Sequence, residues 1–295
     1  MNRVLALIVC YFPDMEKLAK LISAIELSVD AILIVNNGGM DGGEAPLHSE
    51  KIRVVSLGRN VGIATALNYA CDHAFTHGYC FFISFDQDSQ PQQNMIGQLA
   101  TELREWQQKD RRVIAIGPKL VDVRGGGEIV SPFQRFAGLE KLVGDKLTSG
   151  PVSQLITSGC MIDVLLWEKS TRFNEQFFID FVDHNWCWSM TRKGFTLIGA
   201  QNARMQHELS IELKKFMGYS LNTYSPIRRY FQTRNATYQL LHEPLSIEQR
   251  MYLLRSLAIV LLSSLGSDPQ RIQSLGQVAR GFWHGITGQL GPSRV

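Results

Sequence analysis

Cysteine is scarce in this 295-residue chain. The five are Cys10, Cys71, Cys80, Cys160 and Cys187, an odd number with no C-x-x-C pair. That excludes a small disulfide scaffold, argues against a structural zinc site and suits buried thiols in a reducing cytosol. An excess of one charge is lacking too: 30 Lys/Arg stand against 27 Asp/Glu, a net +3, so no polyanionic partner is demanded. No G-x-G-x-x-G turn follows an apolar run, which removes the dinucleotide-dependent oxidoreductase. No run reaches the ~18 apolar residues of a membrane span; "YLLRSLAIVLLSSLG" (252–266) comes nearest, is interrupted by Arg255, and reads as a core or interfacial helix. The opening "MNRVLALIVCYFPDMEK" has one arginine and a short apolar run, but Pro13, Asp14 and Glu16 stand where a secretory leader would carry its cleavage site. A buried first strand is the better reading. There is no internal repeat and no low-complexity segment.

What is present is an alternation. Residues 3–11 are a continuous apolar run, the pattern of a strand covered on both faces. Met15, Leu18, Leu21, Ile22 and Ile25 then recur at helical spacing across 14–28. Strands follow at 31–35, 52–57, 79–85 and 113–117, and helices at 62–76 and about 92–108. The pattern predicts an α/β fold, an open and mostly parallel sheet flanked by helices. Beyond 118 it loosens. "VRGGGEIVSP" reads as a glycine-rich loop or hairpin, and "TSGCMIDVLLW" (157–167) as a turn and a strand. "FFIDFVDHNWCWSMTRKGF" (177–195) turns helical near Asp183, and "TLIGAQNARMQH" reads as a strand ending at His207. From about 210 the chain reads as mainly helical. Residues 1–210 are therefore expected to form an α/β domain, and 211–295 a helical C-terminal region. Residues 204–295 carry 11 Lys/Arg against 5 Asp/Glu, while the rest is slightly acidic. That balance suits a solvated basic helical face, or one turned to phosphates or an anionic membrane.

"FISFDQDSQP" (82–91) ends a buried strand in two acids one residue apart. Two carboxylates on one turn repel each other unless a cation sits beside them. The pattern suits a hard divalent ion, Mg²⁺ or Mn²⁺, held together with water and phosphate oxygens. Asn36, Asn37, Asn60, Asp86 and Asp88 all stand just past a strand end, where ligands bind in such sheets. Each is also explained singly as a turn residue.

At these residues the chain resembles a known family, the inverting glycosyltransferases of family 2, which have the GT-A fold. "LIVCYFPDMEKLAKLISAI" resembles the family's opening strand, turn and helix, and "ILIVNNGG" its second strand, with Asn36 where an acid is usual. "RNVGIATALNYA" resembles its N-x-G helix start, "TSGCMI" its acceptor-side segment, and "QHELS" its late histidine. "FIDFVDHNWCW" resembles the stretch with the catalytic base, and "RRYFQTRNATYQLL" the Tyr…Arg-Asn helix of bacterial members. The Asp-Gln-Asp spelling and "FIDFVDHNWCW" are most similar to a rhamnosyltransferase branch that uses dTDP-L-rhamnose. The likeness runs over about residues 3–240.

The resemblance implies a metal-dependent enzyme with a nucleotide-sugar donor and a glycan or lipid-linked oligosaccharide acceptor in bacterial polysaccharide synthesis. It implies Asp86 and Asp88 at the metal, with His207 as a further ligand or diphosphate contact. Cys10, Tyr11 and Pro13 would flank the base, and Asn37 and Asn60 would bond base or ribose. Arg228, Arg229 and Arg234 would form a lid or diphosphate clamp. Asp183 is the candidate base, with Val182 where the family usually has Glu; Asp180 is its runner-up and His184 a further candidate. The bulky neighbours Phe177, Phe178, Phe181 and Trp186 are expected to desolvate Asp183 and raise its pKa. Asp183 also fits a helix N-cap, and the arginine usual after this stretch is replaced by Ser189. The rivals are a sugar nucleotidyltransferase, disfavoured by the absence of a glycine-rich loop after the first strand, a sugar-nucleotide binder without turnover, and a nucleic-acid binder using "RRYFQTRNATY". Nucleic acid is not the expected partner. A cytoplasmic location follows, with room for peripheral contact at the inner membrane.

Overall fold

A computed structural model describes residues 3–40, 49–122, 129–130, 133–134, 141–142, 149–206, 212–216 and 219–293. The chain forms two compact units, Met1–Phe173 with Trp186–Glu208, and Asn174–Asn185 with Leu209–Val295. The second begins close to the boundary expected at 211 but also takes in 174–185, which the sequence did not indicate.

The first unit opens with β1 (Val4–Cys10), α1 (Met15–Ile25), β2 (Ala31–Asn36), β3 (Ile52–Ser56), α2 (Ile63–Thr76) and β4 (Phe81–Asp86). A two-residue β5 (Gln90–Pro91), α3 (Met95–Lys109) and β6 (Val113–Asp122) follow. Next come the short strands β7 (Ile129–Val130), β8 (Phe133–Gln134), β9 (Lys141–Leu142) and β10 (Gly150–Val152), then β11 (Met161–Asp163) and α4 (Val164–Glu168). α5 (Val182–Arg192) and β12 (Thr196–Gln206) complete it, the unit boundary falling within α5.

The strands stand in the order β10-β12-β6-β11-β4-β1-β2-β3. β4, β1, β2 and β3 are parallel neighbours, and β12 is parallel to β6. β11 runs antiparallel to both β4 and β6, so the sheet is mixed. Leu5, Ala6, Leu7 and Ile8 of β1 are all buried, because side chains of both faces are covered in such a strand. Asp14 starts α1 by accepting from the backbone N–H groups of Glu16 and Lys17. Four of the five cysteines are buried, Cys80 is half-buried, and none is paired; burial pushes the Cys10 thiol up to about 12.

Two expected elements differ. The strand read into 157–167 is only Met161–Asp163, because the Asp163 side chain accepts from Leu166 N–H and starts α4 at once. The region past 210 is not all helix: β13 (Glu212–Phe216) and β14 (Tyr219–Thr223) form an antiparallel hairpin first. The glycine run 125–127 lies outside the described residues, and β7 beyond it pairs antiparallel with β6.

The second unit continues with α6 (Pro226–His242), α7 (Ile247–Gly266) and α8 (Arg271–Thr287). α6 packs on α8 through small residues. A Cβ on Gly281 would lie 2.6 Å from the Tyr230 carbonyl, and one on Gly285 2.6 Å from Thr237 Cβ, so only glycine lets the helices approach this closely.

Candidate active site

Parallel pairing fixes which residues share an edge. Cys10 stands level with Asn36, Asn36 with Ser56, and Asp86 with Val9. The chain segments that leave β1, β2 and β4 therefore emerge at one edge of the sheet, and Tyr11, Asn37, Asp86 and Asp88 lie on them. Asn60 joins them through its side chain, which accepts from Asn37 Nδ2 at 3.0 Å.

Asp86 and Asp88 are both half-buried at this edge. The turn that carries them is braced from the segment 157–160. Ser158 Oγ accepts from Asp86 N–H at 3.1 Å and lies 2.7 Å from Ser89 Oγ, and Ser84 Oγ donates to the Thr157 carbonyl at 2.6 Å. Gly159 has φ +76°, and a Cβ there would sit 2.7 Å from the Pro118 ring; the brace requires glycine. Gln87 between the acids ties the turn to β1: Tyr11 N–H donates to its Oε1 at 2.8 Å, and its Nε2 donates to the Tyr11 carbonyl at 3.2 Å. The Asp88 carboxylate receives no hydrogen bond or ion pair from any described residue. Among the described residues no cluster of three or more His, Cys, Asp and Glu side chains forms. The site thus offers two carboxylates, one of them without a partner among the described residues. Mg²⁺ and Mn²⁺ sites that take their remaining ligands from water and substrate phosphate use such a set.

Tyr11 is 50% exposed and Pro13 half-buried, so both keep surface for a ligand. Asn37 does not. It is buried, its Nδ2 donates to Asn60, and its Oδ1 accepts from Val61 N–H at 2.8 Å. Its amide holds the turn before α2 rather than a base or ribose. Asn60 accepts through Oδ1 from Asn37 and from Gly62 N–H, and its Nδ2 takes part in neither bond. His207 lies outside the described residues.

In the second unit Asp183 occupies the first turn of α5. Its Oδ1 accepts from His184 N–H at 2.8 Å and pairs with His184 Nδ1 at 2.7 Å, and His184 Nε2 is 2.8 Å from the Tyr252 hydroxyl. Both bonds from His184 fall on Oδ1. Burial by itself would raise the Asp183 pKa, as expected from its aromatic neighbours. The charge of His184 and the hydrogen bonds from its ring and backbone outweigh burial, and the carboxyl is held below the ordinary value of 3.8. The expected rise is therefore corrected to a fall. Burial opposes the charge on His184 as well, but Tyr252 and Asp183 override it and raise the imidazole to about 10.

The segment before Asp183 is strained. Phe178, Asp180 and Phe181 all have φ between 61° and 66°, a region L-residues adopt at a cost of about 1–3 kcal/mol each, often near functional groups. α6 holds it there. Asn235 Nδ2 donates to the carbonyls of Phe177, Ile179 and Asp180, and Arg234 donates to those of Gln176, Phe177 and Gly291. Arg228 forks onto the Asp180 carboxylate at 2.8 and 2.7 Å, which engages the runner-up base. Arg229 forks onto Asp268 at 2.8 and 2.7 Å, with the pair almost fully buried.

The expected clamp of Arg228, Arg229 and Arg234 is corrected accordingly. Arg229 and Arg234 are buried and saturated by their own chain, and Arg228 already carries a carboxylate. The same burial takes Arg229 and Arg234 out of the basic face that "RRYFQTRNATY" was expected to offer a nucleic acid. Sequence reasoning missed the roles of Gln87, Ser158, Tyr252 and Asn235. Gln87 stood out as the polar residue between two acids, and Ser158 and Asn235 lie in stretches likened to the family, but their bracing contacts to Asp86 and to the Asp180 carbonyl span 72 and 55 residues of chain; Tyr252, 68 residues from His184, carried no signal.

Residues 7–120 match the family model of glycosyl transferase family 2. Over its whole length the chain is 26% identical to a dTDP-rhamnosyl transferase, RfbF, of Shigella flexneri, with 99% of this chain and 98% of that one aligned. Its fold is similar to that of GalNAc-T7 in a structure with UDP, GalNAc and Mn²⁺ (TM-score 0.58, 12% identity). That match covers 87% of this chain, which spans about half (54%) of the GalNAc-T7 chain. It is similar also to residues 1–349 of S. aureus TarS (TM-score 0.53, 14% identity, 97% and 82% covered). Sheet order, edge acids and these likenesses agree: residues 7–120 carry a glycosyl transferase family 2 domain, and the chain has the GT-A fold.

Proposed function

We propose that the chain is an inverting, metal-dependent glycosyltransferase that moves L-rhamnose from dTDP-L-rhamnose to a hydroxyl of a glycan or lipid-linked oligosaccharide in bacterial surface polysaccharide synthesis. The observation that carries it is the acid pair at the sheet edge, with Asp88 unpartnered among the described residues and the turn braced by Ser158 and Gln87. The name of the Shigella relative supports the donor, and the UDP and Mn²⁺ of the GalNAc-T7 structure support a nucleotide sugar with a divalent ion.

In this reading Asp86 and Asp88 hold Mg²⁺ or Mn²⁺, with His207 as a third contact. The ion, when bound, neutralises the diphosphate leaving group. Tyr11 and Pro13 flank the nucleobase, and Asn60 reaches base or ribose through Nδ2. Asp183 accepts the proton of the attacking hydroxyl at Oδ2, the oxygen that His184 leaves open. Its lowered pKa keeps it ionised at neutral pH, and the His184 bonds fix the orientation of the carboxylate. The acceptor lies at the cytoplasmic face of the inner membrane, where the chain makes peripheral contact; no described helix is long and apolar enough to cross a membrane.

The test is a panel of sugar nucleotides measured by calorimetry with and without Mg²⁺ or Mn²⁺, together with slow donor hydrolysis. dTDP-L-rhamnose should bind only with the ion, and Asp88→Ala should abolish that dependence. Failure of every donor to bind, or turnover undiminished in Asp86→Ala/Asp88→Ala under a chelator, would overturn the reading.

A further inference from the structure

Helices α7 and α8 carry most of their large apolar residues outward. The buried positions of α7 are Gln249, Leu253, Val260, Ser263 and Ser264, and those of α8 are Ser274, Gly281 and Gly285. On α7 the exposed large apolar side chains are Ile247, Met251, Leu254, Ile259, Leu261, Leu262 and Leu265; on α8 they are Ile272, Phe282, Trp283 and Ile286. Ile272 is 88% exposed and Trp283 61%. At 100° per residue the α7 set spans an arc of roughly 160° and the α8 set one of roughly 100° along its helix. Monomeric proteins rarely leave so continuous an apolar face to water.

The charges at the arcs indicate what covers them. Arg250 borders the arc of α7, Arg255 lies within it, and Arg271 borders that of α8, by the same angular spacing; Arg255 and Arg271 are exposed. The acids along these helices and their connection are Glu248, in the first turn of α7, and Asp268, which is buried and neutralised by Arg229. Apolar arcs with arginines beside and within them, one bearing a tryptophan, are the pattern of helices lying in the headgroup plane of an anionic bilayer. A second copy of the chain would carry the same arginines and bring like charges together.

We infer that α7 and α8 form a membrane-docking surface for anionic phospholipid, with the exposed leucines and Trp283 entering the acyl boundary and the exposed Arg255 and Arg271 taking lipid phosphates. This rests on the membrane-surface part of the reading above and is independent of its chemistry.

The experiment is co-sedimentation of the full chain with phosphatidylcholine vesicles, pure or containing phosphatidylglycerol, with dTDP-L-rhamnose binding followed on the same samples. The chain should pellet with the anionic vesicles and lose affinity as salt rises. Arg255→Gln and Arg271→Gln should each lower the partition coefficient about fivefold, and Leu261→Gln or Leu265→Gln about tenfold. These are exposed positions, so unchanged donor binding and circular dichroism would show that the fold is intact. No pelleting, equal pelleting with pure phosphatidylcholine, or a stable dimer that Leu261→Gln/Leu265→Gln dissociates would each overturn the inference. Vesicle binding in a chain that binds no sugar nucleotide would uphold this surface and sink the catalytic reading alone.

Discussion

In the α/β unit, β1 buries Leu5, Ala6, Leu7 and Ile8 and its acids stand at the edge of the sheet. In the second unit α6 buries Arg229, Gln232, Thr233, Arg234 and Asn235, while α7 and α8 expose Leu254, Leu261, Leu265 and Trp283. The first arrangement is the ordinary result of removing apolar surface from water. The second is held by directed bonds: the buried Arg229–Asp268 fork and the amide and guanidinium contacts of Asn235 and Arg234 to the strained segment 177–181. Such a unit gains little net energy per contact but loses much when one partner is removed. It also keeps one loop geometry, and that loop leads into Asp183.

The largest effect should come from the group this framework positions. Asp183→Asn should lower kcat by about 10²–10⁴-fold with donor affinity unchanged; an equal loss of donor affinity would make Asp183 a structural residue. Next come paired changes in the two interiors. Arg229→Met, which strands Asp268, should cost about 3–5 kcal/mol in chemical denaturation, and Leu7→Ala about 2–5 kcal/mol. If Arg229→Met costs under about 1 kcal/mol, the polar interior is dispensable and the contrast fails. Gly285→Ala should cost about 1–3 kcal/mol because its Cβ meets Thr237 and the Arg234 carbonyl. At the small end, Leu262→Gln on the outward face of α7 should change stability by no more than about 0.5 kcal/mol, although the same type of change inside the sheet would not be tolerated.

A pH experiment sharpens the comparison further. Folding lowers the Asp183 pKa and raises that of His184. Asp183 contributes stability above its ordinary 3.8, lost as pH falls through the lowered value. His184 contributes below its ordinary 6.5, lost as pH rises toward about 10. Both contributions are whole between 3.8 and 6.5. His184→Gln removes the opposing charge and leaves only the backbone N–H bonds against burial, so the acid limb of the kcat/KM profile should move to higher pH. An unmoved limb would mean that His184 does not set the ionisation of Asp183.

β1, β2 and β4 were legible because a strand covered on both faces must be a continuous apolar run. The acid pair was legible because two adjacent carboxylates at such a strand's end call for a cation. The braces were not, since nothing local couples Ser158 to Asp86 or Asn235 to Phe177. Arg229 and Arg234 misled because a charged residue reads as exposed until a distant partner neutralises it.

The sequence by itself determined the α/β alternation, the edge that carries Asp86 and Asp88, and the family likeness, all of which rest on local periodicity and short spacing. Only the tertiary structure decided that the arginines of α6 face inward, that His184 lowers rather than burial raises the Asp183 pKa, and that α7 and α8 turn their leucines outward. Burial and charge pairing depend on which distant segments meet, and no local pattern encodes that.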